Sequence, residues 1–205
     1  MKFNKLYHLY TLAIIVIVID QISKYVVHQN MLEDITVIPL VGDFFKLHYV
    51  TNPGMAFGVE IGGNYGKIIL TTFRILAMFG IAYYIKKIFT QGLHKAYQIC
   101  VALIFGGAVG NLIDSIFYAV LDPNLIVKIK DDSGNLINPP TPWFYGKVID
   151  MFYIDIAHGY TPVDWPIFNG VYYSFWPIFN IADAAIFCSV IFILIKQKTF
   201  FPNTK

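Results

Sequence analysis

Four long apolar runs constrain this chain more than any other feature of its sequence. They cover approximately residues 6–27, 68–85, 96–120 and 175–195. Each run is long enough to cross about 30 Å of hydrocarbon as an α-helix. Only 14% of the 205 residues are charged, whereas a soluble domain carries about 25%. The sequence therefore predicts a membrane α-helical fold, a bundle of four transmembrane helices.

Two long connections and a short one separate these runs. The long connections cover about residues 28–67 and 121–174, and they are rich in Pro, Gly, Asn and aromatic residues. The chain shows no tandem repeat and no low-complexity tract. We therefore predict a single membrane domain over residues 1–205 with two elaborated loops.

The lysines predict the orientation in the membrane. They cluster before the first run, in the short connection and in the C-terminal tail, and they are sparser in the long connections. By the positive-inside rule, both termini should be cytoplasmic and both long loops should face outward. The first run should be an uncleaved helix, because it carries Asp20 and Lys24 and lacks a small-residue cleavage site.

Costly polar side chains lie near the predicted outer ends of the helices. A charge at bilayer depth costs about 2.5–3.5 kcal/mol on insertion scales, so such residues usually pair inside the bundle. Two structural alternatives stay open, an i,i+4 ion pair between Asp20 and Lys24 and an Arg74 that extends to the interface. The set comprises Asp20, Lys24, Arg74, Asn111, Asp114, Asn180 and Asp183.

Two Asn-x-x-Asp units stand out within this set. Asn111–Asp114 and Asn180–Asp183 each place an amide and a carboxylate one turn apart on one helix face. The run Gly106–Gly110 before the first unit is typical of closely packed helices. Structural support alone does not obviously require the repeated unit, so we regard it as a candidate site.

The outer loops predict strands and one turn. Two β-rich runs, 35–41 and 44–50, flank Gly42-Asp43 and indicate a hairpin. Asn52-Pro53-Gly54 predicts a turn that is a candidate substrate-contact loop, followed by an interfacial amphipathic stretch. Residues 147–155 predict a strand on which Asp150 has apolar neighbours.

Other loop and helix residues have simpler interpretations. We expect Asp155 and Asp164 to be solvated and residues 123–142 to form a flexible, exposed insertion. Cys100 and Cys188 lie in predicted spans and should be core residues.

If the candidate site catalyses hydrolysis, its carboxylates are the groups that can do so. The chain has neither His-Glu-x-x-His nor Gly-x-Ser-x-Gly, and its five histidines lack metal-ligand spacing. Two neighbouring carboxylates share a proton, so one can activate water while the other polarises a carbonyl. Asp150 and Asp183 are a plausible pair, with no metal and no cofactor. A proton- or ion-coupled transporter and a scaffold that uses carboxylates as braces are the alternatives.

Taken together, the motifs resemble those of the bacterial lipoprotein signal peptidases, the signal peptidase II family. The similarity extends over nearly the whole chain. The motifs, in order, are Asp20-Gln-Ile-Ser-Lys24, Asn52-Pro-Gly-Met-Ala-Phe57, Gly106-Gly-Ala-Val-Gly-Asn-Leu-Ile-Asp114, Val148-Ile-Asp150 and Phe179-Asn-Ile-Ala-Asp183.

The resemblance implies an aspartic peptidase of the bacterial cytoplasmic membrane. Its substrates would be prolipoproteins with a diacylglyceryl-modified cysteine, cut on the amino side of that cysteine by Asp150 and Asp183. Membrane lipid is the other expected partner, and no nucleic acid is expected. The implied fold adds an outer β-cradle and a short interfacial helix to the four helices, with the active site near the outer face.

The resemblance also implies roles for further residues. Those expected to position substrate or brace the site are Asp20, Lys24, Asn52, Gly54, Asn111, Asp114 and Asn180. The chain departs from the family pattern in two places. Ser115 stands where the family commonly has Arg, so Arg74 or Lys24 is a hypothetical replacement partner for Asp114. The segment between Asp114 and Asp150 is also longer than usual.

Overall fold

The computed structural model describes residues 5–54, 63–160, 172–174 and 176–201. The helices are α1 (Leu6–Asn30), α2 (Gly66–Thr90), α3 (Lys95–Leu121) and α4 (Ile181–Phe200). The strands are β1 (Val37–Val41), β2 (Phe45–Asn52), β3 (Ile129–Lys130), β4 (Leu136–Ile137), β5 (Val148–Ile154), β6 (His158–Tyr160) and β7 (Tyr172–Ser174). Short 3-10 turns cover Gly63–Tyr65 and Pro123–Leu125.

Three of the four predicted spans are confirmed as helices of membrane-crossing length. Within the part of the chain that the structure describes, α1, α2 and α3 are long and apolar enough to cross a bilayer. Helix α4 has 20 residues, with Asp183 in its first turn and Lys198 in its last. Its membrane crossing stays a prediction.

The fourth helix begins later than the sequence predicted. It starts at Ile181 rather than near residue 175. The residues before it are partly extended, because Phe179 N donates to Phe152 O at 3.0 Å and Phe152 N donates to Phe179 O at 2.8 Å. These backbone groups are used across strands and are not available for a helical turn.

The chain divides into two compact units, each assembled from segments distant in sequence. The first unit comprises Met1–Ser23, Asn52–Val148 and Ile181–Lys205. The second comprises Lys24–Thr51 and Ile149–Asn180. A single domain over the whole chain stays a prediction.

In the first unit, α3 packs against α2 and α4 and is rich in small residues where it meets its neighbours. A methyl group on Gly106 would lie 2.8 Å from the Ala13 carbonyl oxygen of α1. One on Gly107 would overlap the Ala182 carbonyl oxygen of α4. Only glycine permits such a close approach of helix backbones, as the small-residue run predicted.

A buried cluster joins the ends of the helices remote from these glycines. It comprises Leu9, Ile85, Ile88, Tyr97, Val101, Ala102 and Phe200. Many other large apolar side chains of α1 and α2 are exposed, among them Ile14, Ile22, Phe73 and Phe79. Such outward apolar surfaces suit contact with lipid tails. Cys100 is buried as predicted, whereas Cys188 is exposed and is not a core residue.

The second unit contains most of a three-stranded sheet with the order β1-β2-β5. Strands β1 and β2 are antiparallel, and Val41 pairs with Phe45. Gly42 in the turn has a φ of +51°, which favours glycine because it has no Cβ. The predicted hairpin and the predicted strand around Asp150 are therefore confirmed. Strand β6 pairs with β7.

The insertion at residues 123–142 is largely exposed, as predicted, but it carries regular structure. Strands β3 and β4 are antiparallel, and Asp131 accepts hydrogen bonds in the turn between them from the Ser133 and Asn135 backbone amides. The hydrogen bonds from Asn135 lower the pKa of Asp131. Asn64 donates to Lys130 O at 2.6 Å and accepts from Lys130 N at 2.7 Å. This paired bond attaches the insertion to the segment just before α2.

Candidate active site

Asp183, one of the two predicted catalytic carboxylates, lies in the first turn of α4 in the first unit. The Asn111 side-chain amide of α3 donates to its Oδ1 at 2.8 Å. The Asp183 side chain is partly exposed, while Asn111 is buried. The first turn of a helix favours a negative charge, because its free amide groups give it partial positive charge. The carboxylate is therefore oriented and remains accessible.

Asp150, the other predicted catalytic carboxylate, lies on β5 in the second unit. Only 2% of Asp150 is exposed, and Val148, Ile149 and Met151 beside it are also buried. The Asn180 side-chain amide donates to Asp150 Oδ1 at 2.7 Å and to Ile149 O at 3.2 Å. Burying a carboxylate is costly without such a partner.

The asparagine of each Asn-x-x-Asp motif donates to a carboxylate outside its own motif. Asn111 serves Asp183 of another helix, and Asn180 serves Asp150 of a strand. The structure brings Asn111 to Asp183 in the first unit and Asn180 to Asp150 in the second. Each predicted catalytic carboxylate therefore accepts a hydrogen bond from an asparagine amide.

Asp20 of α1 is fully buried and caps the beginning of α4. Its Oδ1 accepts from the Ala182 backbone amide at 2.9 Å. The first amides of a helix have no partner within the helix, and a side-chain oxygen that accepts from one of them stabilises the helix start. Asp20 thus fixes the turn that carries Asp183. Lys24, also predicted as a site residue, is fully buried in the second unit.

Gln21 is a site residue that sequence reasoning missed. Its side-chain amide donates to Asp20 Oδ2 at 3.2 Å, to Asp114 Oδ1 at 2.8 Å and to Gly110 O at 3.2 Å. The Tyr118 hydroxyl donates to Gln21 Oε1 at 3.1 Å. Gln21 thereby connects α1 to the buried Asp114 of α3. The signal for it was its position inside the first motif, between the two charged residues.

The Asn52-Pro53-Gly54 turn is present and fixed by polar contacts. The Gly54 amide donates to Asn52 Oδ1 at 2.7 Å, and Gly54 has a φ of +88°. Two α2 side chains reach this turn. Lys67 Nζ donates to Pro53 O at 2.9 Å, and Arg74 Nη2 donates to Gly54 O at 2.9 Å. Arg74 is therefore engaged in hydrogen bonds within the protein, and its position relative to the membrane interface stays a prediction.

Gly146, also missed from the sequence, holds the segment before β5 against α3. Its amide donates to Ser115 O at 3.0 Å, and a methyl group in its place would overlap the Asp114 carbonyl oxygen. Its signal was no more than a glycine shortly before the strand.

The expectation of a solvated Asp155 is wrong. Its side chain is only 8% exposed, and it accepts from Lys46 Nζ at 2.9 Å and from the Tyr153 hydroxyl at 3.2 Å, while His158 Nδ1 lies 2.6 Å away. The hydrogen bonds from Lys46 and His158 lower the pKa of Asp155 to about 2. A tertiary contact between β2 and the end of β5 decided this, and single-strand patterns do not encode it.

Parts of the predicted site lie outside the described residues. They include Met55, Ala56 and Phe57 of the second motif, Asp164, and most of the stretch expected to be interfacial. Among the residues that the structure describes, no group of three or more His, Cys, Asp or Glu side chains is placed to hold a metal ion.

Comparisons with solved structures show the same fold in bacterial membrane enzymes. One, solved by the in meso method at 2.3 Å resolution, has a TM-score of 0.59 and 22% identity, and covers 97% of this chain and 92% of that one. Another, solved at 1.9 Å by the same method, has a TM-score of 0.58 and 23% identity, with 96% and 94% covered.

Sequence comparisons are more specific. A lipoprotein signal peptidase of Amoebophilus asiaticus is 40% identical over 95% of this chain and 79% of its own length. A lipoprotein signal peptidase of Porphyromonas gingivalis is 35% identical over 90% and 80%. The sequence profile of the family described as signal peptidase (SPase) II matches residues 12–199. With a match over most of its length, this chain belongs to the signal peptidase II family.

Proposed function

We propose that this protein removes the signal peptides of diacylglyceryl-modified prolipoproteins by hydrolysis on the amino side of the lipidated cysteine, with Asp150 and Asp183 as an aspartic pair. Family membership supports the peptidase over a transporter or a scaffold, and the relatives at 40% and 35% identity are lipoprotein signal peptidases.

One observation carries the assignment of the catalytic pair. Of the carboxylates in the motifs, Asp150 and Asp183 each accept a hydrogen bond from a motif asparagine, at 2.7 and 2.8 Å. Each amide holds one oxygen of its carboxylate in a fixed orientation.

The proposed chemistry is that of two carboxylates that act together. Two carboxylates that act on one substrate share a proton, since both cannot ionise easily in close proximity. The ionised member removes a proton from water while the protonated member donates a hydrogen bond to the scissile carbonyl. The water oxygen attacks the carbonyl carbon to give a tetrahedral intermediate. Its C–N bond then breaks as the carboxyl group that took the proton from water delivers it to the leaving amine. No metal or cofactor is needed for these steps.

The proposed location follows from the lysine distribution. With both termini in the cytoplasm, α1 to α4 cross the membrane and the sheet lies on the outer side. The exposed apolar side chains of α1 and α2 would face lipid. A substrate with two acyl chains and a peptide can then reach the site from the bilayer, while water enters from the outer side.

The test is cleavage of a purified lipid-modified prolipoprotein by purified protein in detergent. We expect Asp150→Asn and Asp183→Asn to bind substrate and to lose at least about a thousandfold in kcat, in the range of losses caused by removing a member of a catalytic group. Asp132→Asn is the matched control, because Asp132 is exposed on the insertion. Full activity of either site variant would remove that residue from the catalytic pair.

The lipid requirement has its own test. A prolipoprotein that carries serine in place of the lipidated cysteine should not be cut, and chelators should not affect cleavage of the modified one. Equal cleavage of both substrates would refute the proposed substrate class.

A further inference from the structure

Two cations of α2 form a cluster that the catalytic proposal does not use. Lys67 and Arg74 are seven residues apart, about two turns, and therefore share one face of the helix. Thr71 lies between them on that face and is fully buried. Lys67 is only 2% exposed. Burying a lysine at the start of an apolar helix is costly, so its partners have to account for it.

Both cations donate to the same α3 hydroxyl. Lys67 Nζ lies 3.2 Å from Ser115 Oγ, and Arg74 Nη1 lies 2.9 Å from it. Ser115 is fully buried, and its hydroxyl donates to Asn111 O at 3.0 Å. The cluster is therefore anchored to the turn of α3 that carries Asn111, the residue that orients Asp183.

The same cations hold two consecutive carbonyls of the Asn52–Gly54 turn. Lys67 binds Pro53 O and Arg74 binds Gly54 O, each at 2.9 Å. Charge-assisted hydrogen bonds of this kind are stronger than neutral ones. The turn is thus tied to α3 through two side chains of α2.

Gly54 shows how closely the cations approach the turn. A methyl group on Gly54 would lie 3.0 Å from Arg74 Nη1 and 3.2 Å from Lys67 Nζ. Its φ of +88° disfavours other residues as well. The turn is therefore held by the Asn52 side chain within it and by the two cations of α2.

We propose that Lys67 and Arg74 are positioning residues that hold the Asn52–Gly54 turn in the conformation that binds the prolipoprotein. This assignment rests on the proposed function, because it takes that turn as a substrate contact. The two cations contact the turn and Ser115. Their loss therefore weakens substrate binding, whereas loss of Asp150 or Asp183 stops the chemistry.

The test compares KM and kcat on a lipid-modified prolipoprotein. We expect Lys67→Met and Arg74→Gln each to raise KM at least tenfold and to change kcat less than threefold. Arg74→Lys should fall between Arg74→Gln and wild type, since an ammonium group cannot reproduce the two parallel donors of a guanidinium. Lys86→Met is the matched control, because Lys86 is an exposed lysine of the same helix, and it should leave both constants unchanged.

Moving the guanidinium from position 74 to position 115 tests whether Arg74 has a positioning role or only a structural one. Since Arg74 touches Ser115 Oγ, a guanidinium carried by position 115 would occupy the space that Arg74 leaves. The double variant Arg74→Ala with Ser115→Arg should therefore recover at least threefold of the KM lost in Arg74→Ala. If Lys67→Met fails to fold, Lys67→Arg and the Arg74 variants still decide the matter.

The outcomes distinguish this proposal from the proposed function. Unchanged KM in well-folded Lys67→Met and Arg74→Gln would overturn it, and so would a loss confined to kcat. If wild-type protein does not cut the prolipoprotein, the proposed function fails. Hydrogen exchange of residues 51–54 then tests separately whether Lys67 and Arg74 hold the turn. Faster exchange in the two variants supports this role, and unchanged exchange overturns it.

Discussion

Replacing Asp20 should destabilise the protein at the beginning of α4. The Asp20 carboxylate is fully buried and accepts from the Ala182 amide at 2.9 Å. In Asp20→Ala the cap is lost, which typically costs about 1 kcal/mol. The buried Ala182 amide also loses its acceptor, and an unsatisfied buried donor costs about 1–3 kcal/mol. These terms overlap, so we expect the free energy of unfolding to fall by about 2–3 kcal/mol.

Asp20→Asn separates the charge from the hydrogen bond. Its amide oxygen can still accept from Ala182, so the variant keeps the cap. It loses the Oδ2 acceptor of the Gln21 amide and the favourable interaction of a negative charge with the helix start. That interaction is worth about 0.3–1 kcal/mol, and up to about 2 kcal/mol in partly buried sites. Since 1 kcal/mol shifts Tm by about 2–4 °C in a chain of this size, Tm should fall by about 4–12 °C in Asp20→Ala and by about 1–4 °C in Asp20→Asn.

The assay is thermal unfolding in detergent together with hydrogen exchange of the first turn of α4. Exchange at Ala182 should accelerate in Asp20→Ala and stay slow in Asp20→Asn. Lys24→Met tests the alternative that Asp20 acts only as the partner of Lys24 in an ion pair. If that variant, and not Asp20→Ala, accelerates exchange at Ala182, the capping argument is wrong. Because Asp183 lies in the same turn, cleavage activity should fall more in Asp20→Ala than in Asp20→Asn.

Three further predictions concern packing, the insertion and pH. Gly107→Ala should cost about 1–3 kcal/mol of stability by overpacking against α4, whereas Gly80→Ala, with open space around the glycine, should be neutral or slightly stabilising in the same unfolding assay. Asn64→Ala should release the β3–β4 hairpin, measured as faster exchange at Lys130, with unchanged cleavage; slow exchange in the variant would contradict the docking. The pKa of Asp155 lies below its ordinary value, at about 2, so its stabilising effect is complete above pH 4 and disappears as the pH falls towards 2. The Tm difference between wild type and Asp155→Asn should therefore shrink over that range, and a constant difference would refute the assignment.

The difference between the predicted and observed Asn-x-x-Asp units shows where sequence reasoning ends. Helical spacing correctly put Asn111 and Asp114 one turn apart on α3. It did not reveal that Asn111 would donate to Asp183 and that Gln21 would donate to Asp114. Local spacing fixes which side chains share a face. The partner across the interface depends on how each helix is rotated and shifted against the next.

The insertion and Asp155 illustrate the same limit for loops. Composition correctly indicated exposure of residues 123–142, but the attachment to Asn64 depends on a residue more than sixty positions away. Asp155 was expected to be solvated because it lies in ordinary loop surroundings, whereas Lys46 of β2 donates to its carboxylate.

By itself, the sequence determined the helices, the hairpin, the strand around Asp150 and the family, because hydropathy, turn chemistry and motifs are properties of short segments. The four long apolar runs left the chain few options besides helices in lipid. Only the tertiary structure decided which amide serves which carboxylate, that Asp20 begins α4, and that Lys67 and Arg74 hold the Asn52–Gly54 turn. Those contacts join segments far apart in the chain, and the glycines of α3 permit the close approach of α1 and α4.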